Sequence, residues 1–168
     1  MNFVAIDFET ANYYADSACA VGIIKVENNI ITDKQYFLIK PRTRWFVFTY
    51  LHGIDWEMVK NEERFDSVWE KITPMLNGID FFVAHNASFD RGVLFNCCRS
   101  YGMHMPEIPF KCTVEISRKL WKIYPTKLNL VCEHFDIPLD HHNAISDAEA
   151  CATIMIKALK QEKQNALS

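Results

Sequence analysis

Two carboxylates stand close together near the start of the chain, Asp7 and Glu9, at the end of an apolar run that begins at Phe3. Successive side chains of a strand point to opposite faces, so a strand here would place both acids on one face. Neighbouring carboxylates repel each other and are costly to bury unless something neutralises them. The pair is therefore typical either of a strand end that emerges into solvent or of a site for a hard cation such as Mg²⁺.

Two further acids and a histidine come later in the chain. Asp90 shortly follows a short apolar run, and Asp147 directly follows Ser146. Both positions suit the first turn of a helix, where the helix dipole favours an anion and would keep Asp147 ionised. His142 precedes Asp147 by five residues, and histidine is a common general base near neutral pH. Each residue alone has an ordinary surface or core interpretation, but their joint order does not.

A mixed sheet is predicted to position these side chains. Short apolar runs bounded by turn residues indicate the strands, with Glu27-Asn28-Asn29 forming the tightest turn. The predicted strands are residues 3–8, 20–26, 30–39, 81–84 and 110–112. The first three form an antiparallel meander, and the later strands alternate with helices. This order predicts an α/β sheet of mixed direction with helices packed on its faces.

Helical spacing of apolar residues predicts the helices between and after these strands. Asp66 is expected to cap one helix, and Gly102 to end another. Shorter helices are expected at 113–121 and 128–135. Ser146 and Glu149 have the spacing of a capping box at the start of the last helix. We therefore expect one domain over residues 1–160 and a short charged tail over 161–168.

The overall charge excludes one class of protein. The 168 residues include 18 Lys and Arg against 21 Asp and Glu, a formal net charge of −3. A domain that grips nucleic acid by charge alone usually carries a clear basic excess. A mildly acidic chain is still compatible with an enzyme that meets nucleic acid through metal ions.

The cysteines and the N-terminus indicate a reducing compartment. None of the six cysteines forms a C-x-x-C pair, and a core of this size needs no disulfide, so we expect reduced, mostly buried thiols. The first residues lack the basic region of a signal peptide. Apolar runs stay far below the roughly 18 residues of a membrane span. The sequence therefore predicts a cytoplasmic protein with no membrane partner.

Four segments together resemble a known family. Residues 5–12 (AIDFETAN), 84–90 (AHNASFD) and 142–148 (HNAISDA) are similar to the three exonuclease motifs of the DEDDh family, and 51–54 (LHGI) to a fourth feature between the first two. The resemblance extends over nearly the whole chain. It is nearest to the proofreading exonuclease (epsilon) subunits of bacterial DNA polymerase III and their small stand-alone relatives.

The resemblance implies a ribonuclease H-like fold and a fully specified site. The family has a mixed five-stranded sheet flanked by helices, and it hydrolyses single-stranded nucleic acid from the 3′ end to nucleoside 5′-monophosphates. Two divalent ions, Mg²⁺ or Mn²⁺, would be held by Asp7, Glu9, Asp90 and Asp147. His142 would be the general base. The 3′-terminal nucleotide would be met by Thr10, Ala11, His52 and Phe89.

The histidine assignment has to choose between two neighbours. His141 and His142 are adjacent, and the family pattern places the base five residues before the last acid, Asp147. This spacing selects His142, and His141 is expected to be an exposed neighbour.

The resemblance leaves the substrate and pathway open. The expected partner is single-stranded nucleic acid with a free 3′ end, with DNA favoured and an exoribonuclease that trims RNA as the alternative. A non-catalytic nucleic-acid-binding scaffold on the same fold is the alternative of another class. The polymerase-bound relatives have a C-terminal extension that does not follow here, so a free-standing enzyme of repair, turnover or end trimming is expected over a polymerase subunit.

Two surface segments also have two interpretations each. Residues 111–127 carry five basic side chains and one acid, so they either follow substrate phosphates or form an amphipathic helix with a solvated basic face. The loop 42–50 is rich in aromatic residues, which either stack on bases or pack over the sheet edge.

Overall fold

The computed structural model describes residues 1–166, which form a five-stranded sheet with the strand order β3-β2-β1-β4-β5. The strands are β1 (Phe3–Thr10), β2 (Ala18–Glu27), β3 (Ile30–Leu38), β4 (Phe81–Ala84) and β5 (Phe110–Cys112). The first three pair antiparallel, whereas β4 runs parallel to β1 and β5 parallel to β4. The predicted mixed sheet that opens with a meander is confirmed.

The helices cover both faces of this sheet. They are α1 (Thr49–His52), α2 (Trp56–Val59), α3 (Phe65–Ile72), α4 (Ala87–Ser100), α5 (Thr113–Trp121), α6 (Leu128–His134) and α7 (Ala144–Asn165). A 3₁₀ turn, Thr73–Leu76, follows α3 directly. Gly102 adopts a left-handed φ of 66° two residues after α4, as its predicted role at the end of that helix requires.

The alternation of side chains along β1 divides the core in two. Val4, Ile6 and Phe8 pack on one face with α3 and α4, whereas Phe3 and Ala5 pack on the other face with α6 and α7. Asp7 and Glu9 continue the second series. The face that carries a hydrophobic core at the start of β1 therefore carries two carboxylates at its end.

Both predicted helix caps are wrong. Arg64 is the residue before α3, and Asp66 lies inside its first turn. The last helix begins at Ala144, because the Asn143 carbonyl already accepts the Asp147 N–H at 2.9 Å. The Ser146 hydroxyl instead accepts a hydrogen bond from the Asp140 N–H. A serine three residues before a glutamate does not identify a cap when a loop donor competes for its hydroxyl.

The last helix also extends farther than expected. It continues to Asn165, so most of the segment expected to be a charged tail is helical. The end of that segment, 167–168, lies outside the described residues. The charged side chains of this last part are compatible with a helix because residues 160–166 are exposed to solvent.

All six cysteines are free thiols, and all but Cys112 are buried, as predicted. None of the helices within residues 1–166 combines the length and the apolar character that crossing a membrane requires.

Candidate active site

Three carboxylates from two elements meet at the end of β1. Ligand oxygens of Asp7, Glu9 and Asp147 all lie within 4.8 Å of one another. The period of the strand puts the first two on one face, and α7 brings the third across that face. Carboxylate oxygens grouped in this way form the ligand set that hard divalent cations prefer.

Gly22 is the residue that lets α7 come so close. It pairs with Asp7 across β1 and β2, so the two positions share a face of the sheet. A Cβ atom at Gly22 would stand 2.1 Å from the Ala144 carbonyl oxygen. The start of α7 therefore rests on the bare backbone beside Asp7, and Asp147 follows one turn later. The sequence analysis missed this residue. A glycine inside a strand can mark a close approach of another backbone, but it does not indicate which element approaches.

Asp90 approaches Asp7 from the side of β1 that faces β4. β4 pairs with β1 only as far as Ala5, so the outer edge of β1 is unpaired beyond that point. The chain turns at Asn86 with a φ of 65°, and α4 returns along this edge. Asp90, which is 1% exposed, accepts a hydrogen bond from the Phe8 N–H at 3.0 Å. Its carboxylate thus replaces the missing strand partner next to Asp7.

The four carboxylates are strained electrostatically. Burial and then the charges of Asp90, Asp147 and Glu9 raise the pKa of Asp7 well above its usual value. Burial likewise raises the pKa values of Glu9 and Asp90 to about 8. The pKa of Asp147 is also raised, chiefly by burial, so the helix dipole does not dominate at this residue as expected. A site that penalises its own negative charge is chemically suited to bound cations.

The two adjacent histidines both take part in this site. The ring of His141 lies 3.0 Å from Asp147, from Nδ1 to Oδ2, and stacks on the ring of His142 with centroids 4.0 Å apart. His142 donates its backbone N–H to the same carboxylate and has a φ of 67°. Burial first, and the charge of His141 second, lower the pKa of His142. His141 is thus partly exposed, as expected, but it also contacts an acid of the cluster.

His52 also lines the pocket, and its hydrogen bonds define its tautomer. Its Nδ1 accepts the Ile54 N–H at 3.0 Å, so Nε2 carries the proton that the Thr10 carbonyl accepts at 3.1 Å. Gly53 makes this possible, since its φ of 75° ends α1 and turns the chain back. Burial lowers the pKa of His52, which favours the neutral ring that this pattern needs.

One pocket of about 380 Å³ is lined by Asp7, Glu9, Asp147, the two adjacent histidines and His52, whereas Asp90 is buried and does not line it. Its walls include Thr10, His52 and Phe89 of the expected substrate contacts, with Phe89 about half exposed. Ala11 does not line it. The Ala11 N–H and carbonyl bond to Ser17 and Val47 within the protein.

His85 lines the pocket as well and was not singled out from the sequence. Its Nδ1 lies 2.8 Å from the Thr113 hydroxyl, and its Nε2 lies 3.0 Å from the Thr126 carbonyl. Burial lowers its pKa, so the ring is held neutral. His85 joins the end of β4 to α5 and to the loop before α6. It lies within the second motif, two residues before the start of α4, but only the fold shows this bracing role.

The exonuclease family model, RNase_T, matches residues 4–155. The chain belongs to this exonuclease family. A 3′-5′ exonuclease DinG of Bacillus subtilis is 32% identical over 168 residues, which is 96% of this chain and 18% of that protein. A PolC-type DNA polymerase III of Caldanaerobacter subterraneus is 32% identical over 164 residues, covering 95% and 12%. The chain thus spans less than a fifth of each of these relatives, and the match identifies an exonuclease domain.

The fold is also similar to that of a solved nuclease domain. The nuclease domain of 3′hExo, a DEDDh family member bound to rAMP, superposes with a TM-score of 0.75 at 16% identity, covering 96% of this chain and 92% of that domain. The ribonuclease H-like fold, a mixed five-stranded sheet flanked by helices, is as predicted.

Proposed function

We propose that this exonuclease domain hydrolyses single-stranded nucleic acid, DNA in preference to RNA, from a free 3′ end and releases nucleoside 5′-monophosphates. The observation that carries the proposal is the grouping of Asp7, Glu9 and Asp147 beside a histidine pair in one pocket, with the buried Asp90 next to Asp7. A phosphodiester reaction develops charge on entering and leaving oxygens, and this arrangement supplies the ligands that can stabilise it.

Asp7, Glu9, Asp90 and Asp147 would hold two divalent cations, Mg²⁺ or Mn²⁺. The donor set fits hard ions because it consists of carboxylate oxygens, and burial together with mutual repulsion raises the pKa values of these acids. When bound, the ions supply Lewis-acid stabilisation of the charge on phosphate oxygens. Asp90 would contribute its other carboxylate oxygen to the cation site, because Oδ1 already accepts the Phe8 N–H.

His142 would be the general base. Its lowered pKa keeps the imidazole neutral near pH 7, the form that can take a proton from the attacking water. The neighbouring His141 would hold Asp147 in position through its hydrogen bond. The division of roles between the two stacked rings rests on the five-residue spacing to Asp147.

The 3′-terminal nucleotide would lie between His52 and Phe89. His52 is fixed by two hydrogen bonds and faces the pocket next to Thr10, and the half-exposed ring of Phe89 offers a surface for a base. Ala11 would act through the backbone position that it gives to Thr10, because its own polar groups are already bonded.

One digestion experiment tests the proposal. Single-stranded DNA and RNA of one sequence, each labelled at the 5′ end, are incubated with the protein in Mg²⁺, in Mn²⁺ and in EDTA. A linear DNA with a 3′-phosphate and a circular single strand are the matched controls. We expect stepwise shortening from the 3′ end with metal, slower reaction of the 3′-phosphate and resistance of the circle. Activity in EDTA or rapid cleavage of the circle would contradict the proposal.

Trimming of RNA is the second candidate, and the similarity in fold to a nuclease domain bound to rAMP favours including it. A faster reaction of the RNA strand in the same experiment would select it. Discrimination depends on contacts to the 2′-hydroxyl. A non-catalytic scaffold is disfavoured by the complete set of four acids and His142. A cytoplasmic location, and a free-standing role in repair or turnover, stay predictions.

A further inference from the structure

An exposed aromatic surface lies at the edge of the candidate active site. It consists of Tyr13, Tyr14, Trp45 and Phe48, which we call the aromatic rim. Tyr13 is 75% exposed, Tyr14 64% and Trp45 51%. Tyr13 lies edge-on to Phe48 with ring centroids 4.8 Å apart, and Trp45 lies 6.4 Å from Tyr13 and 6.0 Å from Tyr14. Contiguous exposed rings of this kind mark an interaction surface more often than scattered ones do.

Buried polar contacts hold the two loops of the aromatic rim together. Asn12, which is 1% exposed, donates from Nδ2 to the Trp45 carbonyl at 2.8 Å and accepts the Tyr14 N–H on Oδ1 at 2.9 Å. The Val47 N–H bonds to the Ala11 carbonyl at 2.7 Å. The exposed rings therefore project from a braced backbone, and a ligand would meet a surface whose loops are already ordered.

The aromatic rim is continuous with the pocket. Phe48 lines the pocket beside Thr10, Leu51 and His52, and on its other side it contacts Tyr13. A strand whose 3′ end occupied the pocket would have to leave it past a neighbouring surface, and the rim is such a surface.

The chain segment that carries Trp45 and Phe48 is basic, which suits a nucleic acid. The segment 40–54 carries Lys40, Arg42 and Arg44 and contains no acidic residue. Arg44 lies 5.2 Å from the ring of Trp56 in the same region. Aromatic side chains interleaved with cations are the usual surface for unpaired bases, which stack on rings while the backbone meets positive charge.

We propose that the aromatic rim binds unpaired bases of the substrate strand on the 5′ side of its terminal nucleotide, and so makes the enzyme selective for single-stranded ends. This inference rests on the proposed function and adds a binding site outside the catalytic pocket. Bases within a duplex are stacked on both faces and cannot offer a face to these rings. Stacking tolerates any base, so the selectivity is for strand form and length, not for sequence.

The test compares a substrate that reaches the aromatic rim with one that does not. The long substrate is a single-stranded oligothymidylate, and the short one is the p-nitrophenyl ester of thymidine 5′-monophosphate, which extends no bases beyond the pocket. For Trp45→Ala and Tyr13→Ala we expect KM for the long substrate to rise about 5- to 100-fold per lost stacking contact. The ratio of the two KM values is the readout, and Trp45→Phe should restore it.

Phe95→Ala is the matched control, since it removes an exposed ring on α4 that stands beside Arg99 instead. An equal loss of activity on both substrates would show that the rim residues have a structural role. Unchanged KM values for both substrates would show that the aromatic rim does not bind the substrate strand. Either result overturns the inference while the enzyme remains active. Anisotropy of a labelled oligothymidylate, measured in EDTA on the same variants, tests binding even if wild-type protein proves inactive and the proposed function fails.

Discussion

The floor and the edge of the pocket are built in opposite ways. The floor is the carboxylate cluster of Asp7, Glu9 and Asp147 together with the buried Asp90 beside Asp7. These acids lie on a central strand and two helices and are buried or half-buried. The edge consists of loop residues such as His142, Phe48 and Trp45, which are partly or mostly exposed. Regular elements can hold groups to fractions of an ångström, whereas loops supply reach and variety. We therefore propose that the floor positions the reacting groups and that the edge selects the substrate.

The two regions also differ in what they do to stability. Raised carboxyl pKa values mean that the ionised floor opposes folding when no cation is present. Exposed rings and neutral histidines at the edge carry no such penalty. Substitutions in the floor should therefore separate activity from stability, and those at the edge should change activity alone.

The largest effect is expected for Asp7→Asn in the floor. Loss of one charged ligand should reduce exonuclease activity about 10³-fold or more, because the bound ions supply several kcal/mol of charge stabilisation. The melting temperature in EDTA should stay the same or rise, since repulsion within the cluster is relieved. Glu70→Gln, on the exposed side of α3, is the control and should change neither quantity. A lower melting temperature for Asp7→Asn would assign Asp7 a structural role.

At the edge, His142→Ala should reduce kcat by about 10²–10⁴-fold, the range for a positioned acid–base group. Metal affinity, measured by calorimetry, should change little. His141→Ala should be milder in kcat, and it should weaken metal binding because its ring contacts Asp147. If His141→Ala is the inactive variant and His142→Ala is near wild type, the roles of the two rings are exchanged.

Gly22→Ala tests how the floor is assembled. A methyl group 2.1 Å from the Ala144 carbonyl must push α7 away from the sheet, so we expect a loss of about 1–3 kcal/mol in the free energy of unfolding. Activity should fall as well, since Asp147 moves with the helix. Gly92→Ala is a matched control on α4, where the space around the added methyl is open and stability should rise by about 0.5–1 kcal/mol. Equal behaviour of the two variants would contradict this account of α7.

The smallest expected effect is a pH dependence of the floor without metal. Glu9 and Asp90 have folded-state pKa values of about 8 against unfolded values near 4, so their protonated forms favour folding. That stabilisation is complete below the unfolded pKa and is lost as the pH rises to about 8. The melting temperature in EDTA should fall by at least about 2–4 °C, or 1 kcal/mol, between pH 7 and 8.5. Below pH 7 the histidines with lowered pKa values have the opposite effect on stability, so the comparison starts there. Saturating Mg²⁺ should reduce this dependence, and a rise instead would contradict the raised pKa values.

The local pattern of the sequence was a good guide wherever one element decides the outcome. The period of β1 puts Asp7 and Glu9 on one face in any sheet, and the apolar runs of β2, β3, β4 and β5 appear as strands within a few residues of their expected bounds. The order of the motifs was enough to predict the family. Helix caps were harder to predict from the sequence. Asp66 and Ser146 are residue types that often cap helices, but α3 begins before Asp66 and the Asp140 N–H occupies the Ser146 hydroxyl.

The remaining features were decided by tertiary structure alone. Asp90 meets Asp7 because β4 stops early and leaves a backbone N–H of β1 to be satisfied. His141 is more than an exposed neighbour because the loop before α7 turns its ring onto Asp147. In the aromatic loop, Phe46 packs inward near Ala11 and Trp45 is exposed, so packing accounts for Phe46 and stacking on bases stays a prediction for Trp45. The sequence by itself determined which chemical groups were present and which strand face carried two of them. Which groups met depended on contacts between residues far apart in the chain, and no local pattern encodes those distances.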